Sequence, residues 1–266
     1  RALRAERAFE TRYDRALGAT IRQAKQVPVL INYSVGKKRY EKRPDEADLA
    51  LIEKIEQSDI PYPFPTQRMP EGDESRRNDD IGLTHVHHFY TRRNLWALAG
   101  IWKQINNTTD ARIKKALTLV FTAIIPYGSK LRRFRADKKG GGPLSGTLYI
   151  ASIITPPNVL LSFERNVHFI SQSFYALEKI RLNALIASSS SDKTAIQSDS
   201  IDYIFIDPPF GANLMYSELN FLWEAWLGVF TNNAPEAVVN KTQRKGLPEY
   251  QALMEACFRE FYRLLK

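Results

Sequence analysis

The last third of the chain is predicted to fold as an α/β unit, behind a basic and mainly helical region. Three observations lead there. Residues 202–206 form a short apolar run stopped by Asp207-Pro208-Pro209, as at the end of a buried parallel strand. Stretches of helical apolar spacing, 165–182 and 215–229, flank that run and supply the alternation of strand and helix that a parallel sheet needs. Charge divides the chain: residues 1–150 carry 28 Lys/Arg against 17 Asp/Glu, and residues 151–266 carry 10 against 12. The boundary is therefore placed at 150, with one part suited to holding a polyanion and the other to a different task.

Residues 1–26, rich in Arg and Ala, are expected to be a helix, and 37–43 is a short basic stretch containing Tyr40. Residues 45–57 repeat apolar groups at Leu49, Ile52 and Ile55, with Asp45 as the N-cap after Pro44. Four prolines make 60–70 an extended connection. Residues 71–80 are polar and expected to be mobile. Helices are expected at 90–105, capped by Thr91, and at 114–125. Residues 130–142 combine a basic cluster with three glycines and read as a surface loop. A strand is expected at 184–187 before a Ser-rich turn, and a last helix at 248–265. There is no internal repeat.

Composition narrows the functional classes. Net charge is +9, and no apolar run approaches the roughly 20 residues that cross a bilayer, so no membrane partner is expected. Residues 1–15 are charged and lack the apolar stretch of a signal peptide. Cys257 is the only cysteine, which excludes an internal disulfide and a cysteine zinc site and fits a cytoplasmic setting.

The informative motif is Asp207-Pro208-Pro209-Phe210. Ligands of open α/β sheets bind beyond the carboxyl ends of the strands. An exocyclic base amine is a poor nucleophile, because its lone pair is delocalised into the ring. Two acceptors aimed at its N–H bonds rehybridise it. The Asp207 carboxylate and the Pro208 carbonyl can be those acceptors. Successive prolines stiffen the turn and remove competing donors, and Phe210 can stack on a base flipped from a duplex.

The segment Ser200-Ile-Asp-Tyr-Ile-Phe-Ile-Asp-Pro-Pro-Phe-Gly211 resembles motif IV of the amino-methyltransferases, in the Asp-Pro-Pro-aromatic form of adenine N6 enzymes. Residues 213–226 and 88–98 are similar to large bacterial adenine-specific DNA methylases, some of them from restriction or phage-defence loci. The resemblance covers about residues 81–266 and is strongest at 200–226. It implies a Rossmann-like S-adenosylmethionine-dependent core acting on double-stranded DNA, with further subunits of a restriction or defence complex as possible partners. It gives Asp207, Pro208, Pro209 and Phe210 the catalytic roles. It sets Ser189, Ser190 and Asp192, together with Asp207, beside the cofactor, and Tyr216 and Glu218 beside the base. Glu218 reads equally well as an acid in the first turn of a helix. The family's glycine-rich loop after its first strand is not found, since Gly140-Gly141-Gly142 follows Asp137-Lys138-Lys139 rather than an apolar strand. The chain also stops at Lys266, where the family continues with Pro-Gly and another strand, so a fragment is expected.

Lys130, Arg132, Arg133, Arg135, Lys138 and Lys139 form the densest basic cluster and are expected on DNA phosphates, joined by Arg92 and Arg93. His85, His87 and His88 invite a metal reading, but a structural or phosphate-contacting role fits them better without cysteine partners. Leu95, Leu98, Ile101, Trp102, Phe221, Trp223, Trp226 and Phe230 read as core. Cys257 lies in a helical pattern, which argues against a cysteine nucleophile. Two alternatives stand beside the DNA reading: an RNA base-amine methyltransferase, and a non-catalytic DNA-binding subunit of a defence assembly.

Overall fold

The computed structural model describes residues 7–135, 141–177 and 183–266. It opens with two antiparallel hairpins, β1 (Phe9–Asp14) with β2 (Ala19–Ala24), and β3 (Ile31–Val35) with β4 (Lys38–Lys42). The expected helix over 1–26 is thus corrected for its described part. Alternation of Phe9, Thr11 and Tyr13 with Glu10, Arg12 and Asp14, and a left-handed Gly18 at the turn, override the helical preference of Ala and Arg. Gly36, also left-handed, closes the second hairpin.

Helix α1 (Glu46–Gln57) begins at Asp45, whose carboxylate accepts the Asp48 N–H at 2.9 Å in a capping box. Residues 71–80, expected to be mobile, instead form the one-turn α2 (Asp73–Arg76) and a 3₁₀ turn at Asp79–Ile81. Asn78 donates to the Leu148 carbonyl at 2.8 Å, and Glu74 accepts the Leu148 N–H at 2.9 Å. A second 3₁₀ turn, Val86–Phe89, leads to α3 (Arg92–Asn107), capped by Thr91 as expected. Asp110 caps α4 (Ala111–Tyr127) by accepting the N–H groups of Arg112 and Ile113. Helices α5 (Val159–Leu177), α6 (Tyr216–Leu227) and α7 (Leu247–Leu264) follow.

The core is helical. Leu98, Phe121, Ile124, Ile125 and Leu222 are fully buried, and each contributes about 1.5–3 kcal/mol by leaving water. Phe121 stacks on Trp102 with centroids 4.9 Å apart, and Trp226 meets Phe121 edge-on at 5.5 Å. The Trp226 indole N–H donates to the Tyr90 hydroxyl at 3.1 Å, and that of Trp223 to the Thr122 carbonyl at 2.9 Å. Helix α6 therefore completes the core built by α3 and α4, and packing continues across position 150.

The two expected strands differ from the structure. Residues 184–187 have no regular structure and leave Leu185 and Ile186 almost fully exposed. Residues 202–206 have no regular structure; next to them a single parallel bridge joins Ile201 to Leu265. Among the described residues the only ladders of several rungs are the two hairpins. A run that is apolar on both faces needs neighbouring strands to become a sheet interior, and here Tyr203 and Phe205 face solvent. No helix of the described residues is long and apolar enough to cross a membrane.

Candidate functional site

Helix α7 splints the chain that leads to Asp207. At its C-terminal end Glu260 accepts the Thr194 N–H at 2.8 Å and its hydroxyl at 2.7 Å, while Arg263 pairs with Glu260 at 2.6 Å and donates to Ser198 and the Ile196 carbonyl. The Arg263 guanidinium, with the Thr194 donors, holds the Glu260 carboxyl well below the usual carboxylate range. The N–H groups of Asp199, Ser200 and Ile201 then bond to the last carbonyls of α7. At the other end of the helix, the Tyr250 hydroxyl donates to the Pro209 carbonyl at 2.7 Å.

This leaves a turn with a defined set of loose acceptors. Asp207 is exposed, Pro208 and Pro209 are half-buried, and Phe210 is 74% exposed. Among the described residues neither the Asp207 carboxylate nor the Pro208 carbonyl has a hydrogen-bond partner, whereas the Pro209 carbonyl is taken by Tyr250. An open groove of about 880 Å³ runs beside Pro208 along Tyr250, Met254, Phe258 and Tyr262. Tyr250 carries no sequence signal of its own, because it stands in an ordinary amphipathic helix forty-one positions from its partner.

The residues expected around that turn divide. Tyr216 is partly exposed at the start of α6. Glu218 is buried and accepts the Ser75 N–H at 2.8 Å, with Asn240 at 3.4 Å. Burial pushes its carboxyl upward. Glu218 therefore ties α6 to α2, and a Cβ on Gly72 would collide with its carboxylate at 2.1 Å. Ser189 and Ser190 stand exposed on irregular chain, with Ser190 bonded to Asp192, and none of the three lines the groove. Ser189 and Ser190 are open to solvent, and Asp192 is half-buried.

The basic cluster is more engaged than a solvated loop would be. Lys130 is buried at 5% exposure rather than set on a surface loop, and burial lowers its ammonium to about 8. It follows the turn that ends α4, where its N–H bonds to the Phe89 carbonyl at 2.6 Å. Arg132 donates to the Gly141 carbonyl, and Arg133 bridges to Ile154. Arg135 is exposed, and Lys138 and Lys139 lie outside the described residues. Arg92 clamps the Ser58 carbonyl at 2.6 and 3.1 Å, and exposed Arg93 bonds to Asn94 and the Pro156 carbonyl. Arg132, Arg92 and Arg93 thus spend side-chain donors inside the molecule, whereas the bridge of Arg133 is made by its backbone.

The histidines gather around Asp14, which the sequence reading missed. Asp14 Oδ1 accepts the N–H groups of Ala16 and Leu17 at 2.9 and 3.3 Å, in the turn after β1. Its Oδ2 meets Nε2 of both His87 and His88 at 2.8 Å. All three side chains are buried and their ligating atoms lie within 4.8 Å of one another, as in a metal site. The tautomer argues otherwise. Nδ1 of His88 accepts the N–H groups of Thr84 and His85 at 3.2 and 3.4 Å, so Nε2 carries the hydrogen. A metal at Nε2 would require an imidazolate. As it stands, the cluster is a carboxylate clamp that docks the first hairpin on the 3₁₀ turn.

Burial raises the cost of charge at Asp14, but the bonds from His87 and His88 outweigh it and hold its carboxyl below the usual range. Burial holds the His88 imidazole down at about 4, against the hydrogen bond to Asp14 that favours its charge. His85 is lowered as well, by burial first and by the neighbouring His87 second. An unfolded His88 takes up a proton near pH 6.5, whereas the folded one does so near 4. Its stabilising effect is therefore complete above about pH 6.5 and is lost as pH falls towards 4, by up to about 3 kcal/mol. Urea midpoints should fall steadily across that window. A flat profile would mean that His88 is protonated in the folded protein.

Compared with family models, curated proteins and solved structures, the chain has no match.

Proposed function

We propose that the chain orients an exocyclic base amine for S-adenosylmethionine-dependent methylation of double-stranded DNA, with adenine N6 as the acceptor. The observation that carries this reading is the pair of adjacent, unengaged acceptors at Asp207 and Pro208, on a proline-stiffened turn beside exposed Phe210. Two acceptors on one amine draw its hydrogens into their plane and leave the lone pair pointing out of it. Tyr250 removes the Pro209 carbonyl from competition. Phe210 offers a flat apolar face for a flipped base. S-adenosylmethionine supplies the methyl group; the residues named here act on the acceptor alone. The resemblance of residues 200–226 to bacterial adenine methylases supports the choice of DNA and a restriction or phage-defence setting in the cytoplasm.

The open Ser189–Asp192 stretch favours a second reading, a non-catalytic DNA-binding subunit of a defence assembly. Incubating the chain with labelled S-adenosylmethionine and either duplex DNA or RNA separates the cases. Label should enter duplex DNA. Label in RNA alone would move the substrate to RNA, and DNA binding without label in either would favour the non-catalytic subunit.

A further inference from the structure

The β3–β4 hairpin stands apart from the candidate site. Its strands pair only with each other, in the register Val35↔Lys38, Ser34↔Arg39, Tyr33↔Tyr40, Asn32↔Glu41 and Ile31↔Lys42. Directly opposite residues share a face. One face therefore carries Val35, Lys38, Tyr33 and Tyr40, with the two tyrosine rings stacked at 5.5 Å and 23°. Lys37 follows Gly36 in the turn, and Arg39 projects from the other face. Lys37, Lys38 and Arg39 are exposed and have no ion-pair partner among the described residues. Lys42 differs, because Asp45 and Asp48 hold it at 2.9 and 2.7 Å. The three cations thus sit at the end of the hairpin away from α1.

An exposed two-stranded ribbon tipped with unpaired cations has the dimensions and charge to enter a groove of duplex DNA. The B-form major groove is about 12 Å wide and admits such a ribbon. Lysine and arginine at its tip meet phosphates on either wall, releasing counterions. The Tyr33–Tyr40 pair stiffens the ribbon and offers hydroxyls to the backbone. In the 130–135 segment, by contrast, Lys130 is buried and Arg132 is bonded to the Gly141 carbonyl.

We propose that the β3–β4 hairpin is a duplex-DNA contact arm, with Lys37, Lys38 and Arg39 on the phosphates. The proposal rests on the DNA part of the functional reading and not on catalysis.

The test is equilibrium binding of the full chain to a labelled duplex at several salt concentrations, without cofactor, comparing wild type with the Lys37→Ser, Lys38→Ser, Arg39→Ser triple variant. Loss of three phosphate contacts should reduce the log–log salt slope by about 2 to 3 units. Affinity near 0.1 M salt should fall at least tenfold. The exposed hairpin tip supports no core, so the thermal midpoint should be unchanged, and Tyr33→Ala should weaken binding without altering the slope. An unchanged slope and affinity in the triple variant would overturn the proposal. So would failure of the wild type to bind duplex, or an equal loss on a single strand, which lacks the groove. Reduced binding in the variant, with no methylation by the wild type, would leave the arm in place and remove the catalytic reading. Intact binding in the variant, with methylation by the wild type, would do the reverse.

Discussion

Replacing Asp14 with Ala should destabilise the protein by about 3–5 kcal/mol, within the range for removing one partner of a buried charged network. The carboxylate satisfies four donors at once: two backbone N–H groups in its own turn and the two imidazole N–H groups of His87 and His88. Alanine leaves the imidazole donors unpaired in a site that is almost dry, and each buried orphan costs about 1–3 kcal/mol. The first hairpin should then loosen from the body, because Asp14 is the residue that joins it to the histidine turn. Amide exchange of Phe9–Asp14 should accelerate together with that of Ala19–Ala24. Urea denaturation gives the size of the loss. A change below about 1 kcal/mol would mean that the hairpin is held elsewhere, for example by the Gln23 bond to the Gly82 carbonyl at 2.9 Å.

Asp207→Ala should reduce methyl transfer about a hundredfold while leaving the fold intact, because a lost transition-state hydrogen bond of about 3 kcal/mol has that effect on kcat. The carboxylate is exposed and bonds to no described residue, so nothing in the folded chain depends on it. The turn keeps its shape through Pro208, Pro209 and the Tyr250 bond. Retention of more than about a tenth of the rate would place the amine elsewhere. A drop in thermal midpoint of more than a few degrees would make Asp207 a structural residue.

How much was legible in the sequence follows the range of the interactions. Local signals read correctly: Asp45 caps α1, Thr91 caps α3, and Leu98 and Trp226 lie in the core, because capping and 3.6-residue periodicity are short-range properties. The first hairpin was misread because Arg and Ala suggested a helix, while His87, which bonds to Asp14 at the hairpin turn, lies seventy-three residues away. The tie between Glu218 and Ser75 and the pin between Tyr250 and Pro209 are likewise long-range and leave no spacing to detect. Lys130 reads as a loop cation, yet the end of α4 delivers it into the core, since composition does not report which way a turn faces. The Asp-Pro-Pro-Phe turn was legible for the opposite reason: its stiffness and its acceptors are properties of four consecutive residues.

Nucleoside analysis of duplex DNA after incubation with the protein and S-adenosylmethionine tests the central claim most directly. Digestion to nucleosides followed by mass spectrometry identifies the methylated atom as well as the fact of transfer. Amine activation by Asp207 and Pro208 predicts N6-methyladenine from the wild type and little from Asp207→Ala. 5-Methylcytosine, or no methylated nucleoside from a wild type that binds the duplex, would contradict it.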